Sequence, residues 1–440
     1  MYSASRAHVK KVLALVMAFA MAFTMMASAA YTDQADIVCT DAVDTLAALN
    51  VMTGDGDGSF RPNDTITRAE ACRMIYTIRA NSDNADAYKS MQTTFTDVPA
   101  DAWYAGYVKH CQSVGIVSGK SATTFDPSAK VTGVELALMC LRVMGYDPAK
   151  VDIGGSTWSI TTIGLATEAG LLEDVEAPVE AAIPRQWAAQ MMFNMISADT
   201  VKWSNDHEEY EESYGLTVGK KYMDLEETKG VLTAVNYDDN DDVYTTKVSG
   251  KNSDAFFDAS KDYSDLMGQK VKALWKEVKG DTVLFGIFAT DKNKTVTALV
   301  DDIEAVDDDT IKIDKVEYDL AAGCYAVAPN GESLSKNDLA PYFEITFVDN
   351  DNDKKYDVAV VDAFSVEKVT SVTTKKYYFE TTGGQDVDDC NVYKDIAKDD
   401  YAVIRDAAYT VSGLYEVTEP ETISGKVTNT KDGEIKVDGT

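Results

Sequence analysis

The feature that most constrains this chain is an internal repeat. Gly54, Phe60, Pro62, Thr67, Glu70 and Met74 recur 65 residues later as Gly119, Phe125, Pro127, Thr132, Glu135 and Met139. A third, weaker copy follows. Trp103 and Asp97 recur 55 residues on as Trp158 and Asp152, Gly115 recurs as Gly170, and Arg68 returns as Arg185. Each copy carries apolar residues at helical spacing: Ala71, Met74, Ile75 and Ile78, then Leu136, Met139, Cys140 and Val143, then Ala188, Met191, Met192 and Met195. Upstream, Val43, Val108 and Ile163, followed by Leu46, Cys111 and Ala166, supply a first helix to each copy. The expectation is three helix-loop-helix units over 31–92, 93–150 and 151–200. A glycine-rich loop, Gly54 to Pro62 in the first copy, joins the helices.

Beyond about Ala198 the period changes from helical to alternating. Val231 to Val235, Val271 to Trp275, Val283 to Phe288 and Tyr356 to Val361 read as strands. Acidic runs such as Asp238-Asp239-Asn240-Asp241-Asp242 and Asp349-Asn350-Asp351-Asn352-Asp353 separate them and predict hairpin turns. Residues 201–440 are therefore expected to be β-rich. A loose echo, in which Asp265-Leu266, Asp338-Leu339 and Asp395-Ile396 each precede an alternating strand, points to two or three related modules. Ile423 to Gly439 resembles the opening of the first of them, Thr228 to Val235, so the natural protein is expected to continue beyond residue 440.

The first thirty residues combine Arg6, Lys10 and Lys11, an apolar run from Val12 to Met26, and the small cluster Ala27-Ser28-Ala29-Ala30, which reads as a signal peptide over 1–30. Export follows, and no later segment has the length and apolarity of a membrane span. The net charge of −32 opposes binding to nucleic acid or anionic lipid. The six cysteines, Cys39, Cys72, Cys111, Cys140, Cys324 and Cys390, lack a disulfide framework or Cys-x-x-Cys pair, so small buried thiols are expected.

Phe95-Thr96-Asp97-Val98, Trp103-Tyr104, Gly115 to Gly119, Phe125-Asp126-Pro127 and Thr132-Gly133-Val134-Glu135, in that order, resemble the S-layer homology repeat. The first copy adds the family's most distinctive motif as Thr67-Arg68-Ala69-Glu70. The resemblance covers roughly residues 31 to 200. It implies a pseudo-threefold helical assembly whose grooves hold wall glycan, either a pyruvylated secondary polysaccharide or modified peptidoglycan. It also implies non-covalent anchoring of an exported protein at the cell surface.

For such a ligand, a fixed guanidinium suits a pyruvate carboxylate, and aromatic faces and carboxylates suit sugar rings. The candidate glycan-binding residues are Arg68, Glu70, Thr67, Asp97, Trp103, Gly54, Gly119, Trp158 and Arg185. Each has a structural alternative. Thr67 with Glu70, and Thr132 with Glu135, also spell capping boxes. Arg68 could be a solvated surface arginine, Trp103 and Trp158 could pack into the core, and Gly54 and Gly119 could serve turns. Gly133 replaces the arginine in the second copy, and Pro184-Arg185-Gln186-Trp187 keeps arginine without Thr and Glu. Arg68 with the Asp97 and Trp103 region is thus expected to make the most complete groove.

Asp349, Asp351, Asp353 and Asp357 have a spacing reminiscent of a calcium loop, but Lys354 stands where an EF-hand needs glycine and Val360 where it needs glutamate. An acidic hairpin turn is the better reading, leaving only weak calcium binding and no resident cofactor. The chain reads as a non-enzymatic surface protein whose β-rich part forms a lattice, spacer or adhesive surface. The alternative is a wall-anchored enzyme such as a polysaccharide hydrolase, or an adhesin. Only His8, His110 and His207 are present, none in the β-rich core, which removes histidine-dependent nucleophilic catalysis there.

Overall fold

The computed structural model describes residues 31–151, 153, 157–238, 241–290, 292–299, 303–306, 309–313, 315–335, 344–420, 427–431 and 434–437. The signal-peptide reading of 1–30, the carboxylate Asp152, the pair Asp239-Asn240 and the pair Asp338-Leu339 lie outside them. The chain divides into two compact units, residues 1–227 with 273–287, and residues 228–272 with 288–440. A helical region leads and a β-rich region follows, and no described helix is long and apolar enough to cross a membrane.

The six expected helices are α1 (Thr40–Ala48), α2 (Arg68–Ala80), α3 (Ala105–Ser113), α4 (Gly133–Met144), α5 (Trp158–Glu168) and α6 (Arg185–Ser197). The apolar stripes read from the sequence are the buried ones: Val43, Leu46, Val108, Cys111 and Ala166 are fully buried, as are Ile75, Leu136 and Met191. In α5 the pattern is rotated slightly, with Thr162 buried and Ile163 only half-buried. The Thr162 hydroxyl is accommodated because it donates to the Trp158 carbonyl at 2.6 Å.

The three copies close on one another through backbone. Ile66 N–H donates to Ile183 O at 3.3 Å, Ile183 N–H to Val131 O at 3.0 Å, and Val131 N–H to Ile66 O at 3.1 Å, completing a triangle. All three side chains are fully buried. Their burial contributes about 1.5–3 kcal/mol each, and the closed circuit satisfies polar groups that the apolar centre would otherwise strand.

The first unit continues past residue 200. β1 (Asp199–Ser204) and β2 (Glu209–Thr217) form an antiparallel hairpin, and α7 (Val218–Met223) follows. Arg79 of α2 donates to the Tyr222 hydroxyl at 2.8 Å and lies 4.9 Å from its ring centre, fastening α7 to the repeats.

The alternating runs are strands as expected. β3 (Glu226–Asp238), β4 (Val243–Ser249) and β5 (Asp254–Ala259) form an antiparallel meander, with Tyr237 opposite Tyr244 and Thr246 opposite Phe257. β6 (Lys270–Val278) and β7 (Asp281–Ala289) come next. A seven-stranded sheet then runs in the order β8 (Lys294–Leu299), β13 (Glu344–Asp349), β14 (Tyr356–Asp362), β11 (Val316–Val327), β10 (Thr310–Ile313) and β9 (Ile303–Val306), with β12 (Ser333–Leu334) paired to β11. Its core is Ile311, Tyr318, Leu320, Ile345, Phe347 and Val361, the Tyr318 and Phe347 rings stacked at 4.4 Å.

A six-stranded sheet has the order β17 (Gly383–Asp386), β16 (Lys376–Phe379), β15 (Phe364–Val372), β19 (Tyr401–Arg405), β20 (Tyr415–Thr418) and β18 (Cys390–Val392), around Val369, Phe379, Ile404 and Val417. β21 (Val427–Lys431) and β22 (Glu434–Val437) pair antiparallel.

The acidic run at 349–353 is the β13–β14 hairpin turn. The Asp349 carboxylate accepts backbone N–H bonds from Asp351, Asn352, Asp353 and Lys354 at 2.7–3.3 Å. Burial works against its charge, but those four donors prevail and hold its pKa below the ordinary value. Its negative charge is therefore committed to shaping the turn. The six cysteines are free thiols; Cys72, Cys111 and Cys140 are buried, and burial pushes the Cys140 thiol up to about 12.

Candidate functional site

The capping boxes are present. Thr67 Oγ1 accepts from the Glu70 N–H at 3.2 Å while the Glu70 carboxylate accepts from the Thr67 N–H at 2.6 Å, and Thr132 with Glu135 repeats the pattern. Each box fixes the direction in which the first helical residue projects. In α2 that residue is Arg68, and it is not a solvated surface arginine: it is 8% exposed. Its Nε donates to Phe125 O at 3.0 Å, its Nη2 donates to Ser118 O at 2.9 Å, and the guanidinium lies 4.5 Å from the Phe125 ring centre.

Arg185 makes the same contacts one copy round. Its Nε donates to Phe60 O at 2.8 Å, its Nη2 donates to Thr53 O at 3.1 Å, and it lies 4.9 Å from the Phe60 ring centre. The second copy has Gly133 here because the third copy comes too close: a Cβ on Gly133 would sit 2.8 Å from the Val179 Cα. Two arginine clamps and one backbone-to-backbone approach thus join the three copies.

Asp97 also has a structural task. Its carboxylate accepts from Phe125 N–H at 2.9 Å and Asp126 N–H at 2.7 Å. Asp33 does the same for Phe60 at 2.8 Å and Arg61 at 2.7 Å. The second residue of each pair is left-handed, with φ of 56° at Arg61 and 62° at Asp126, so each carboxylate holds a strained turn. Burial opposes both charges, and the paired N–H donors outweigh it, lowering both pKa values.

Gly54 and Gly119 allow Tyr31 and Phe95 to lie against the loop: an added Cβ would meet Tyr31 Cε1 at 2.5 Å or Phe95 Cε1 at 2.6 Å. Trp103 is 53% exposed and lies against Tyr104 and Tyr107, with ring centres at 5.5 and 6.4 Å. Val38, at the matched position of the first copy, is likewise exposed, and Trp158 is half-buried. An exposed indole beside two phenols presents an aromatic face to solvent, which core packing does not require.

The two arginine junctions differ in what remains open. Beside Arg68, the Glu135 carboxylate is bonded to Lys120 and lies 3.6 Å from Arg68 Nη1. Burial would raise its pKa, but Lys120, the Thr132 N–H and Arg68 together hold it low. There one carboxylate sits between two cations.

Beside Arg185 a polar cavity of about 270 Å3 is lined by Arg61, Asp64, Thr65, Glu70, Lys130 and Arg185. Three cations face two carboxylates in a chain whose overall charge is −32. Lys130 reaches in from the second copy, its Nζ donating to Thr65 O at 2.6 Å, and Arg61 pairs with Asp55, behind the lining, as well as with Asp64. Two of the candidate residues, Glu70 and Arg185, meet in this cavity. The sequence reading missed Arg61, Lys130 and Asp64; Lys130 falls 65 residues after Thr65, so the repeat spacing placed it at the junction.

The profile of the S-layer homology domain matches residues 30–72 and 94–137. The chain carries S-layer homology domains. A cell surface protein of Thermoanaerobacter kivui is 23% identical over 93% of this chain and 50% of its own length. A surface layer protein of Brevibacillus choshinensis is 32% identical over 38% of this chain and 15% of its own. An amylopullulanase of Thermoanaerobacterium thermosulfurigenes is 28% identical over 29% of this chain and 7% of its own. The chain therefore spans half the length of the first relative and a small part of the other two. Arg68 and the two capping boxes fall inside the matched S-layer homology segments, and Arg185 falls beyond them.

Proposed function

We propose that this chain is held non-covalently at a bacterial cell surface by its S-layer homology region, whose cavity beside Arg185 receives an anionic group of a wall glycan. The observation that carries this reading is the convergence of three cations, Arg61, Lys130 and Arg185, on one small polar cavity in a strongly acidic protein. Such a site draws in a carboxylate or phosphate against the field of the rest of the molecule. Residues 151–200 act as the third repeat, since Arg185 supplies one of the two arginine clamps.

Arg68, Arg185, Thr67, Glu70 and Asp97 shape the grooves, Gly54 and Gly119 let the loops close, and Trp103 and Trp158 offer faces for sugar rings. The chain is exported, it is not an enzyme, and residues 201–440 form the exposed spacer or lattice-forming part. The amylopullulanase covers too little of this chain to bring an enzyme reading with it.

The test is co-sedimentation of the protein with purified wall sacculi before and after chemical removal of the secondary polymer. Binding that survives removal of the polymer and of every acidic group overturns the anionic-glycan reading. Absence of binding to intact sacculi overturns anchoring itself. Arg61→Ala, whose side chain lines the cavity and pairs only with Asp55 and Asp64 of its own copy, is expected to weaken sedimentation while the melting temperature stays near that of the parent.

A further inference from the structure

The β-rich unit contains a cavity of its own, of about 450 Å3, within the range of about 300–1,000 Å3 that small-molecule pockets occupy. Its charge is opposite to that of the helical cavity: Asp262, Asp362 and Glu416 face a single cation, Arg405. One wall is aromatic. Tyr237 and Tyr244 are cross-strand partners on β3 and β4 with ring centres 5.0 Å apart, and Tyr409 lines the same cavity. The loop bearing Tyr409 is fixed to this wall, because Tyr237 N–H donates to Val411 O at 2.8 Å and Asn330 Nδ2 donates to Ala408 O at 2.8 Å.

The other wall is a set of preset polar groups. Arg405 grips Asp362 in a bidentate pair, Nε to Oδ1 at 2.8 Å and Nη2 to Oδ2 at 2.7 Å. Glu416 accepts from Asn391 Nδ2 at 2.8 Å and from Ser412 Oγ at 2.5 Å. These groups are held in place before any ligand arrives, which lowers the cost of binding. Burial, followed by the charges of Asp262, Asp242 and Glu416, pushes the Tyr244 hydroxyl up, so it stays a neutral donor.

We propose that this cavity is a saccharide site selective for sugar rings that bear a free amino group. The aromatic wall suits the C–H face of a pyranose. Alternating carboxylate, amide, hydroxyl and guanidinium groups suit neighbouring hydroxyls, which both donate and accept. The excess of carboxylates repels acidic sugars and attracts an ammonium. A lysine side chain would satisfy the carboxylates but present no ring face to the aromatic wall of Tyr237, Tyr244 and Tyr409, so a sugar fits the whole lining better.

The experiment is calorimetric titration of the full chain with four probes: a β-1,4-linked glucosamine disaccharide, its fully N-acetylated counterpart, a galacturonate disaccharide and tetralysine. The glucosamine disaccharide should bind saturably, the N-acetylated form about tenfold or more weaker, about the loss expected when one charged contact worth 1.4 kcal/mol is removed, and the galacturonate form not at all. Glu416→Gln, close in shape to the parent, and Tyr244→Ala should each weaken glucosamine binding by about tenfold or more. Saturable binding that is unchanged in both variants, or no saturable binding by the glucosamine disaccharide, overturns the proposal. Tetralysine binding more tightly than the disaccharide overturns the saccharide assignment.

Discussion

The Arg185 guanidinium lies 4.9 Å from the Phe60 ring centre while its Nε donates to the Phe60 carbonyl at 2.8 Å, so one side chain both caps a loop of another copy and walls a cavity. Loss of Arg185 therefore has two effects. Arg185→Ala strands the carbonyls of Phe60 and Thr53 and is expected to cost about 3 kcal/mol or more, since hydrogen bonds to charged groups are each worth about 1.5–3 kcal/mol. Denaturant unfolding with an unchanged slope checks this. Arg185→Lys, which cannot reach both carbonyls with a planar fork, should recover less than half of the loss.

Gly133→Arg restores the family motif in letters but not in space. A Cβ there meets the Val179 Cα at 2.8 Å, backbone that has no rotamer through which to withdraw. We expect a fall in melting temperature of more than about 4 °C, the scale of a loss exceeding 2 kcal/mol in a domain of this size. Scanning calorimetry checks it, and a variant as stable as the parent contradicts the close packing of the second and third copies.

Thr67→Ala and Thr132→Ala remove equivalent caps and should cost about 1 kcal/mol each. The two caps adjoin, since Glu135, the partner of Thr132, lies 3.6 Å from Arg68, the residue after Thr67, so the double variant should depart from additivity by about 0.5 kcal/mol or more. Urea midpoints of the three variants give the comparison.

Acid should loosen both loops. Asp33 and Asp97 have lowered folded-state pKa values, burial notwithstanding, because backbone N–H groups bind their charged forms. A carboxylate whose folded pKa lies below its unfolded value contributes its full stabilisation above the unfolded value near 3.8, and loses it as pH falls through the folded value. Stability measured between pH 6 and pH 2 should thus decline from about pH 5 downward. Asp33→Asn with Asp97→Asn should flatten that decline, at the expense of stability at pH 6.

The repeat, the helix faces and the capping boxes were legible because each is local: spacing 65 aligns the loops, and Thr67 lies three residues from Glu70. The role of Arg68 was half legible. Its distinctness from the cap showed in the sequence, but its partner, Phe125, lies 57 residues away and is reached only across the junction between copies. For the same reason the sequence favoured Arg68 with Asp97 and Trp103, whereas the open polar cavity is at Arg185: Glu135 links Lys120 to Arg68 at one junction, while Arg61 and Lys130 line a cavity at the other. In the β-rich part, alternation gave the strands and the acidic turn at Asp349. It could not give the parallel pairing of β11 with β14 or a cavity joining Tyr237 to Glu416, since neither leaves a trace within one window of sequence.

The hydrogen-bond triangle of Ile66, Val131 and Ile183 has an evolutionary corollary. Stacked repeat proteins can lengthen or shorten by one unit, because every interior unit meets only its neighbours. A closed circuit of three has no end at which a fourth could be added, and deleting one copy leaves the other two with orphaned donors and acceptors at the most buried point. Gene duplication can therefore multiply this region only in whole sets of three, and the copies are free to diverge in their grooves while their number stays fixed.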